Sequence, residues 1–523
     1  MAGEAADIVE RSAIEVSDML ASGAATSEAL VEAYAARIEA IDKAGPRLNS
    51  VISLSPWAAI EARARDAERR AGALRGPLHG VPVLVKDNID VADGAPTTAG
   101  SLALLENRAS DDAPVVHRLR EAGCVVLGKT NLSEWANIRS TGSISGWSAV
   151  GGLTRNPYAL DRSAGGSSSG SGAAAAASLC AAAVGTETDG SIVCPASLSG
   201  LVGLKPTVGL VSRRRIIPIS ASQDTAGPMT RTVADAALML TAMAGSDPGD
   251  AATAEADAHR TDYLAALKDA TLRGRRIGVL TWAAGLAANV DAVFEEALAL
   301  LRAEGAEVVE AGPFAPSESL GEAERLVLLT ELKAGLASYL ADAPPEVGAR
   351  SLADLIAFNQ ETQRELCLFG QELFEHAQTL GGLDDPAYRA ARASSLREAG
   401  TEGLDRLIAA QRLDALVAPS FGPAWRIDVV AGARGAGRAS QLPAIAGYPH
   451  LTVPMGFARG LPLGLSLIGP AWSEGRLLGL GFAFERARGA RRPPAFSPSV
   501  ESGASFEAAF APYSGPAAAT PRD

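Results

Sequence analysis

Between Gly165 and Ser191 the chain reads GGSSSGSGAAAAASLCAAAVGTETDGS, two Ser/Gly-rich loops joined by a run of small residues. That spacing constrains the fold. A helix of about 11 residues over 172–182 would advance roughly 16 Å. A strand over 183–187 would retrace a similar distance at roughly 3.3 Å per residue. The two loops are therefore expected at the same edge of a sheet, with the hydroxyl of Ser167 within hydrogen-bonding reach of Ser191, 24 positions further on. A Ser/Gly tract on its own is more often a flexible linker. Here an apolar run and a second polar turn follow at once, where a linker would lead to a domain boundary. The pair reads instead as a nucleophile and its proton relay.

The rest of the chain narrows the chemistry. Its 523 residues suffice for a large core, and 47% hydrophobic with 20% charged residues describes a globular protein. A net charge of −13 disfavours nucleic acid and acidic membrane surfaces as partners, since phosphate binding draws on clustered Lys and Arg. Arg213–Arg215 is the one compact basic cluster, and it reads as a solvated turn. The four cysteines (Cys124, Cys180, Cys194, Cys367) form no CxxC, and the five histidines show no ligand spacing, so neither a disulfide framework nor a metal site is expected. The start, MAGEAADIVERS, lacks the basic and apolar segments of a signal peptide, and Gly172–Gly185 is too short to span a bilayer, so a cytoplasmic location is expected.

Residues 12–72 carry helical periodicity, with Leu30, Tyr34, Ile38 and Ile41 on one face, and predict an N-terminal helical layer over 1–72. Strands are expected over 81–85, 124–127, 276–280, 306–310, 413–418 and 451–454, and helices over 114–122 and 291–304. Such alternation predicts an α/β fold with helices on the faces of a sheet. One large α/β domain over 73–492 is expected, with a helical insert at about 315–410 and a loosely held tail over 493–523.

A serine hydroxyl needs a proton acceptor to attack a carbonyl. No histidine lies near either loop in sequence, although a distant one could approach in space and a Ser-His-Asp arrangement stays open. Lysine is the other base, and the chain has only six against 41 arginines. Arginine does not give up its proton near neutral pH, whereas a buried lysine can. Lys86 ends the apolar run VPVLV and would start in the core. Lys86 could equally cap a strand or pair with Asp87 or Asp90, and Lys129 and Lys205 also follow apolar segments, so position alone does not choose among the three.

These motifs resemble the amidase signature family. The likeness runs from Gly165 through Ala196 and extends to VPVLVKDN, GKTNLSEWAN (128–137), RNP (155–157), GLVGLKPTVGLVS (200–212), QDTAGPM (223–229) and AGYPHLTVPMG (446–456), covering most of residues 25–490. Within the family the wording GSSSGS, TETDGSIVCPA, SLADLIAFNQ and LFGQEL resembles the bacterial peptide-amidase branch. Asp189 stands before Gly190 where most members carry a second glycine, a departure which that branch shares.

The resemblance implies a large mixed sheet covered by helices on both faces. It also implies a Ser–cis-Ser–Lys triad of Lys86, Ser167 and Ser191, with a cis peptide at Gly166–Ser167. Ser191 would form the acyl-enzyme. Backbone N–H groups of Thr188, Asp189, Gly190 and Ser191 would hold the oxyanion, and Ser169 and Thr186 would support the triad. Asp224 would orient a loop below the site or cap a turn, and Trp135, Trp147 and Phe358 would line a pocket or sit in the core. No cofactor and no obligate protein partner are implied. The expected activity is hydrolysis of a peptide C-terminal carboxamide to the acid and ammonia. The alternatives are a general acylamide hydrolase, the glutamine-hydrolysing component of an amidotransferase, and a noncatalytic binding protein on the same fold.

Overall fold

The computed structural model describes residues 6–430 and 435–502. In chain order the strands are β1 (Val51–Leu54), β2 (Pro82–Lys86), β3 (Val125–Thr130), β4 (Trp147–Ser148), β5 (Gly152–Leu153), β6 (Ala182–Glu187) and β7 (Val202–Lys205). They continue as β8 (Thr225–Thr230), β9 (Arg276–Val279), β10 (Glu307–Glu310), β11 (Ala415–Pro419), β12 (His450–Ala458) and β13 (Leu461–Ile468). β4 and β5 pair as a separate hairpin. The others form one mixed sheet of 11 strands, in the spatial order β1-β3-β2-β6-β8-β7-β12-β13-β11-β9-β10.

The central strands are buried along their whole length because helices flank the sheet. Every residue of β2, β3, β6 and β8 is buried, the pattern of strands covered on both faces. β2 runs parallel to β3 and β6, so the C-terminal ends of β2 and β6 emerge side by side and bring Lys86 next to Thr186. The carboxyl edge of parallel strands is where open α/β sheets place their ligand sites.

Several elements depart from the sequence expectations. The N-terminal layer is not purely helical: β1 pairs antiparallel with β3 as an edge strand. Its four residues, VISL, fall between helices and are too few to break the surrounding 3.6-residue rhythm. The helix after the first serine loop spans only Ser169–Ala176. Ser178 then takes a left-handed φ of 57°, and the chain turns before β6. β7, β8 and β13 lie outside the expected strands, since Gly and Pro interrupt their apolar runs. In the helical stretch the helices run from Leu320–Ala341 to Arg406–Gln411.

The first part of the tail is held. Phe496 N–H donates to Pro157 O, Leu160 N–H donates to Ser497 O, and Arg162 pairs with Glu501 at 2.7 Å. The remainder, 503–523, lies outside the described residues. No described helix is long and apolar enough to cross a membrane.

Candidate active site

The two serine loops do meet. Ser168 N–H donates to the Ser191 carbonyl at 3.1 Å, and the Gly166–Ser167 peptide just before Ser168 is cis. A Cβ at Gly166 would lie 2.2 Å from Ser133 Oγ, so a larger residue there would push that hydroxyl off its bond from Gly146 N–H. Ser169 Oγ donates to Gly165 O at 2.6 Å, and Ser133 N–H donates to Ser167 O at 3.0 Å, so both sides of the turn are tied down. The helix Ser169–Ala176 leaves this turn and packs its small side chains against β6.

Lys86, at the end of β2, is fully buried, as is Ser167. Its Nζ lies 2.7 Å from Ser167 Oγ, 2.9 Å from Thr186 Oγ1 and 3.3 Å from Thr186 O. Asn88 Nδ2 donates to the same Thr186 hydroxyl at 3.0 Å. Burial pulls the ammonium of Lys86 down to about 7, partly opposed by the charges of Asp224 and Glu187. A neutral amine has two N–H groups and one lone pair. With both N–H groups on the two Thr186 oxygens, the lone pair faces Ser167, so the lysine can take that serine's proton.

The other two lysines end elsewhere. Lys129 pairs with Asp87 at 3.3 Å and donates to Ile89 O, and Lys205 donates to Pro206 O. Neither bonds a serine hydroxyl.

Ser191 follows a turn that is clamped on both flanks. Glu187 Oε2 accepts from Ile192 N–H at 2.6 Å and Val193 N–H at 3.0 Å, holding the start of the helix Val193–Leu198. Asp224 Oδ1 accepts from Thr188 Oγ1 at 2.5 Å, while its Oδ2 accepts from the amides of Ile219 and Ser220. Asp224 therefore does both things expected of it, capping a turn and holding a loop of the site. Gly190 has φ 77°, a conformation that favours glycine. The amides of Asp189, Gly190 and Ser191 donate to no acceptor among the described residues, which leaves them available to a developing oxyanion.

Asp189 brings a carboxyl group to this turn. Burial lifts it above the usual carboxylate range, opposed by the nearby Ser440 hydroxyl and the charge of Lys205. Glu324, from the helix Leu320–Ala341, is pushed up to about 8 by burial and by the charge of Asp189. It accepts from Gln223 Nε2 at 3.0 Å and Gln441 Nε2 at 2.9 Å.

One expected contact is not made. Ser191 Oγ forms no hydrogen bond among the described residues, and 8% of the residue stays exposed. Catalytic hydrogen bonds are often long in unliganded sites and tighten once substrate binds. The two tryptophans sit in the core, and Phe358 is half-buried. Trp135 packs edge-on to Phe374 with centroids 5.6 Å apart, and Trp147 to Phe369 at 5.2 Å. With Phe358, they are absent from the wall of the cavity beside the site. That cavity, of about 380 Å³, is bounded by Asn88, Thr186, Thr188 and Asp224, and Ser191 itself is not on its wall. Asn88 and Glu187 had no sequence signal beyond their adjacency to Lys86 and to the TDGS turn.

The amidase family model matches residues 29–478. The structure is similar to that of native peptide amidase from Stenotrophomonas maltophilia, at 53% identity and a TM-score of 0.89, covering 93% of this chain and 99% of that one. A probable amidase of Arabidopsis thaliana is 40% identical over 482 residues, 90% of this chain and 88% of the relative. A glutamyl-tRNA(Gln) amidotransferase component of Halorhodospira halophila is 38% identical over 502 residues, 91% of this chain and 97% of the relative.

Proposed function

This chain belongs to the amidase family, hydrolases acting on amides, and from that premise we propose that it hydrolyses the C-terminal carboxamide of peptides. The observation that carries the mechanism is the buried Lys86 amine 2.7 Å from Ser167 Oγ, in a loop bonded to the backbone of Ser191. Neutral Lys86 takes the proton of Ser167, which takes that of Ser191 as its oxygen attacks the amide carbonyl. The amides of Thr188, Asp189, Gly190 and Ser191 serve the oxyanion, the last three being without other acceptors among the described residues. Such donors are commonly worth about 3–4 kcal/mol each. The proton returns through Ser167 to the leaving nitrogen, ammonia departs, and water hydrolyses the Ser191 ester by the reverse relay. Ser169 and Thr186 position the two members of the relay.

The peptide-amidase reading rests on the 53% identity to the Stenotrophomonas enzyme across nearly all of both chains. A second reading, the glutamine-hydrolysing component of an amidotransferase, is favoured by the 38% identical relative. One assay separates them: ammonia release from a peptide amide, free glutamine and a small aliphatic amide, by wild type and by Ser191→Ala. Serine-dependent release from the peptide amide, with internal peptide bonds intact by mass spectrometry, is the expected result. Release from glutamine alone would favour the amidotransferase reading, and undiminished release by Ser191→Ala would remove that serine as nucleophile.

A further inference from the structure

The relay leaves one fully buried lysine without a task. Lys205 is the last residue of β7, and its ammonium makes one hydrogen bond among the described residues, to Pro206 O at 3.3 Å. An ammonium has three donors. Strand register fixes what this side chain faces. Residues paired across strands share a face of the sheet, as do residues two apart along one strand. Glu187 pairs with Thr225, and Gly203 pairs with Met229. Thr225 and Met229 lie four apart on β8, and Lys205 lies two beyond Gly203 on β7, so Glu187 and Lys205 are on one face. The helix Val193–Leu198 covers that face, since a Cβ on Gly203 would lie 2.5 Å from Ala196 Cβ. The lysine and Glu187 therefore share the space beneath the helix that follows Ser191.

Three buried carboxyl groups act on Lys205. Burial pulls its ammonium down to about 8, opposed by the charges of Glu187, Glu474 and Asp189. Glu187 and Asp189 belong to the turn that leads to Ser191. Burial lifts the Glu187 carboxyl above the usual carboxylate range, and the charge of Lys205 is the strongest influence pulling it back. The ionised form matters because Glu187 Oε2 alone accepts both Ile192 N–H and Val193 N–H. Hydrogen bonds to an ionised acceptor are roughly twice as strong as those to a neutral one. The other oxygen, Oε1, has no hydrogen-bond partner among the described residues. A nearby opposite charge is what remains to offset its burial.

We propose that Lys205 is a positioning residue of the hydrolysis: its ammonium is the counter-charge that keeps Glu187 ionised, and Glu187 in turn holds the turn that presents Ser191. The inference rests on the Ser191 reading above. Lys205 bonds none of Lys86, Ser167 and Ser191, and it acts through Glu187. Losing the cation should therefore mimic losing the Glu187 charge, and losing both should add little.

The test measures ammonia release from an N-acetylated dipeptide amide by the purified full chain, as wild type, Lys205→Met, Glu187→Gln and the double variant. Lys205→Met is expected to lower kcat by about tenfold and to change KM by less than about threefold, the same split as Glu187→Gln. The double variant should stay within about threefold of Glu187→Gln, whereas independent effects would multiply to a loss of about a hundredfold. Lys205→Gln keeps a donor for Pro206 O without the charge, and serves in the same cycle should the methionine pack poorly. A parallel cycle uses Glu474→Gln, because Glu474 Oε1 accepts from Thr207 N–H at 2.7 Å, just beyond Lys205. Losses that multiply with Glu187→Gln, or coupling to Glu474→Gln alone, overturn the proposal. So does a kcat unchanged by Lys205→Met, and so do Lys205 variants that fold in neither background. If wild type releases no ammonia, or Ser191→Ala releases as much, the Ser191 reading falls together with it.

Discussion

In the proposed relay the chemistry turns on Lys86, and its environment is legible in charges. Burial lowers Lys86 to about 7, while Asp224 and Glu187 oppose that shift. On the proposed mechanism the neutral amine is the active form, so kcat/KM for a peptide amide should fall with decreasing pH along a limb centred near 7, about tenfold per pH unit well below it. Asp224→Asn removes one of the charges that favour the ammonium. The limb should then move to lower pH, a direction that mere loosening of the Ser220 turn does not predict. A pH–rate profile of the two proteins checks this, and a limb that stays in place or moves upward contradicts it.

Among the elements, the short helix Val193–Leu198 does the most to shape the turn before Ser191. The amides at its start rest on Glu187, a residue of β6. Helix N-termini favour a carboxylate there, at about 0.3–1 kcal/mol and more when partly buried. Glu187→Gln keeps the shape and removes the charge. It is expected to lower kcat by about tenfold with little change in KM, as a displaced oxyanion donor does. An increase in KM alone would place the effect in binding instead. The three consecutive left-handed residues Trp135, Ala136 and Asn137 are a second element-scale feature. Trp135 N–H donates to Ala99 O, and Ser133 just before them holds Ser167 O. Nothing in SEWAN announces that backbone, because contacts distant in sequence impose it.

Across the molecule, the helical stretch is fastened to the sheet domain by buried charge. Arg139 and Glu134 pair at 2.8 Å with both side chains fully buried. Arg139 also stacks over Phe369 at 4.3 Å, and its carbonyl accepts from Leu373 N–H, both on the helical side. Glu134→Ala would leave the guanidinium buried and unpaired, a loss of about 3–5 kcal/mol in comparable cases. Denaturant unfolding should report a loss of that order, with a smaller loss for the double variant Glu134→Ala/Arg139→Met, which removes both charges. A single variant as stable as wild type would show that the pair does not fasten these parts.

The sequence alone determined what is set by local spacing. Loop, small-residue helix, strand and loop had to return Ser191 to Ser167, and an apolar run ending in Lys86 had to bury its stem. The helical periodicity of Leu30, Tyr34, Ile38 and Ile41 likewise predicts one inward face, of which the first three are buried and Ile41 is half-buried. Tertiary structure decided what depends on partners far along the chain. Parallel pairing of β2 and β6 put the Thr186 oxygens on Lys86, while pairing with Asp87 took Lys129 away from the serines. The edge strand β1 exists because β3 offers it hydrogen bonds, and residues 496–501 are held because Pro157, Leu160 and Arg162 receive them. Periodicity records which face a residue buries, and it carries no record of which distant group will meet it there.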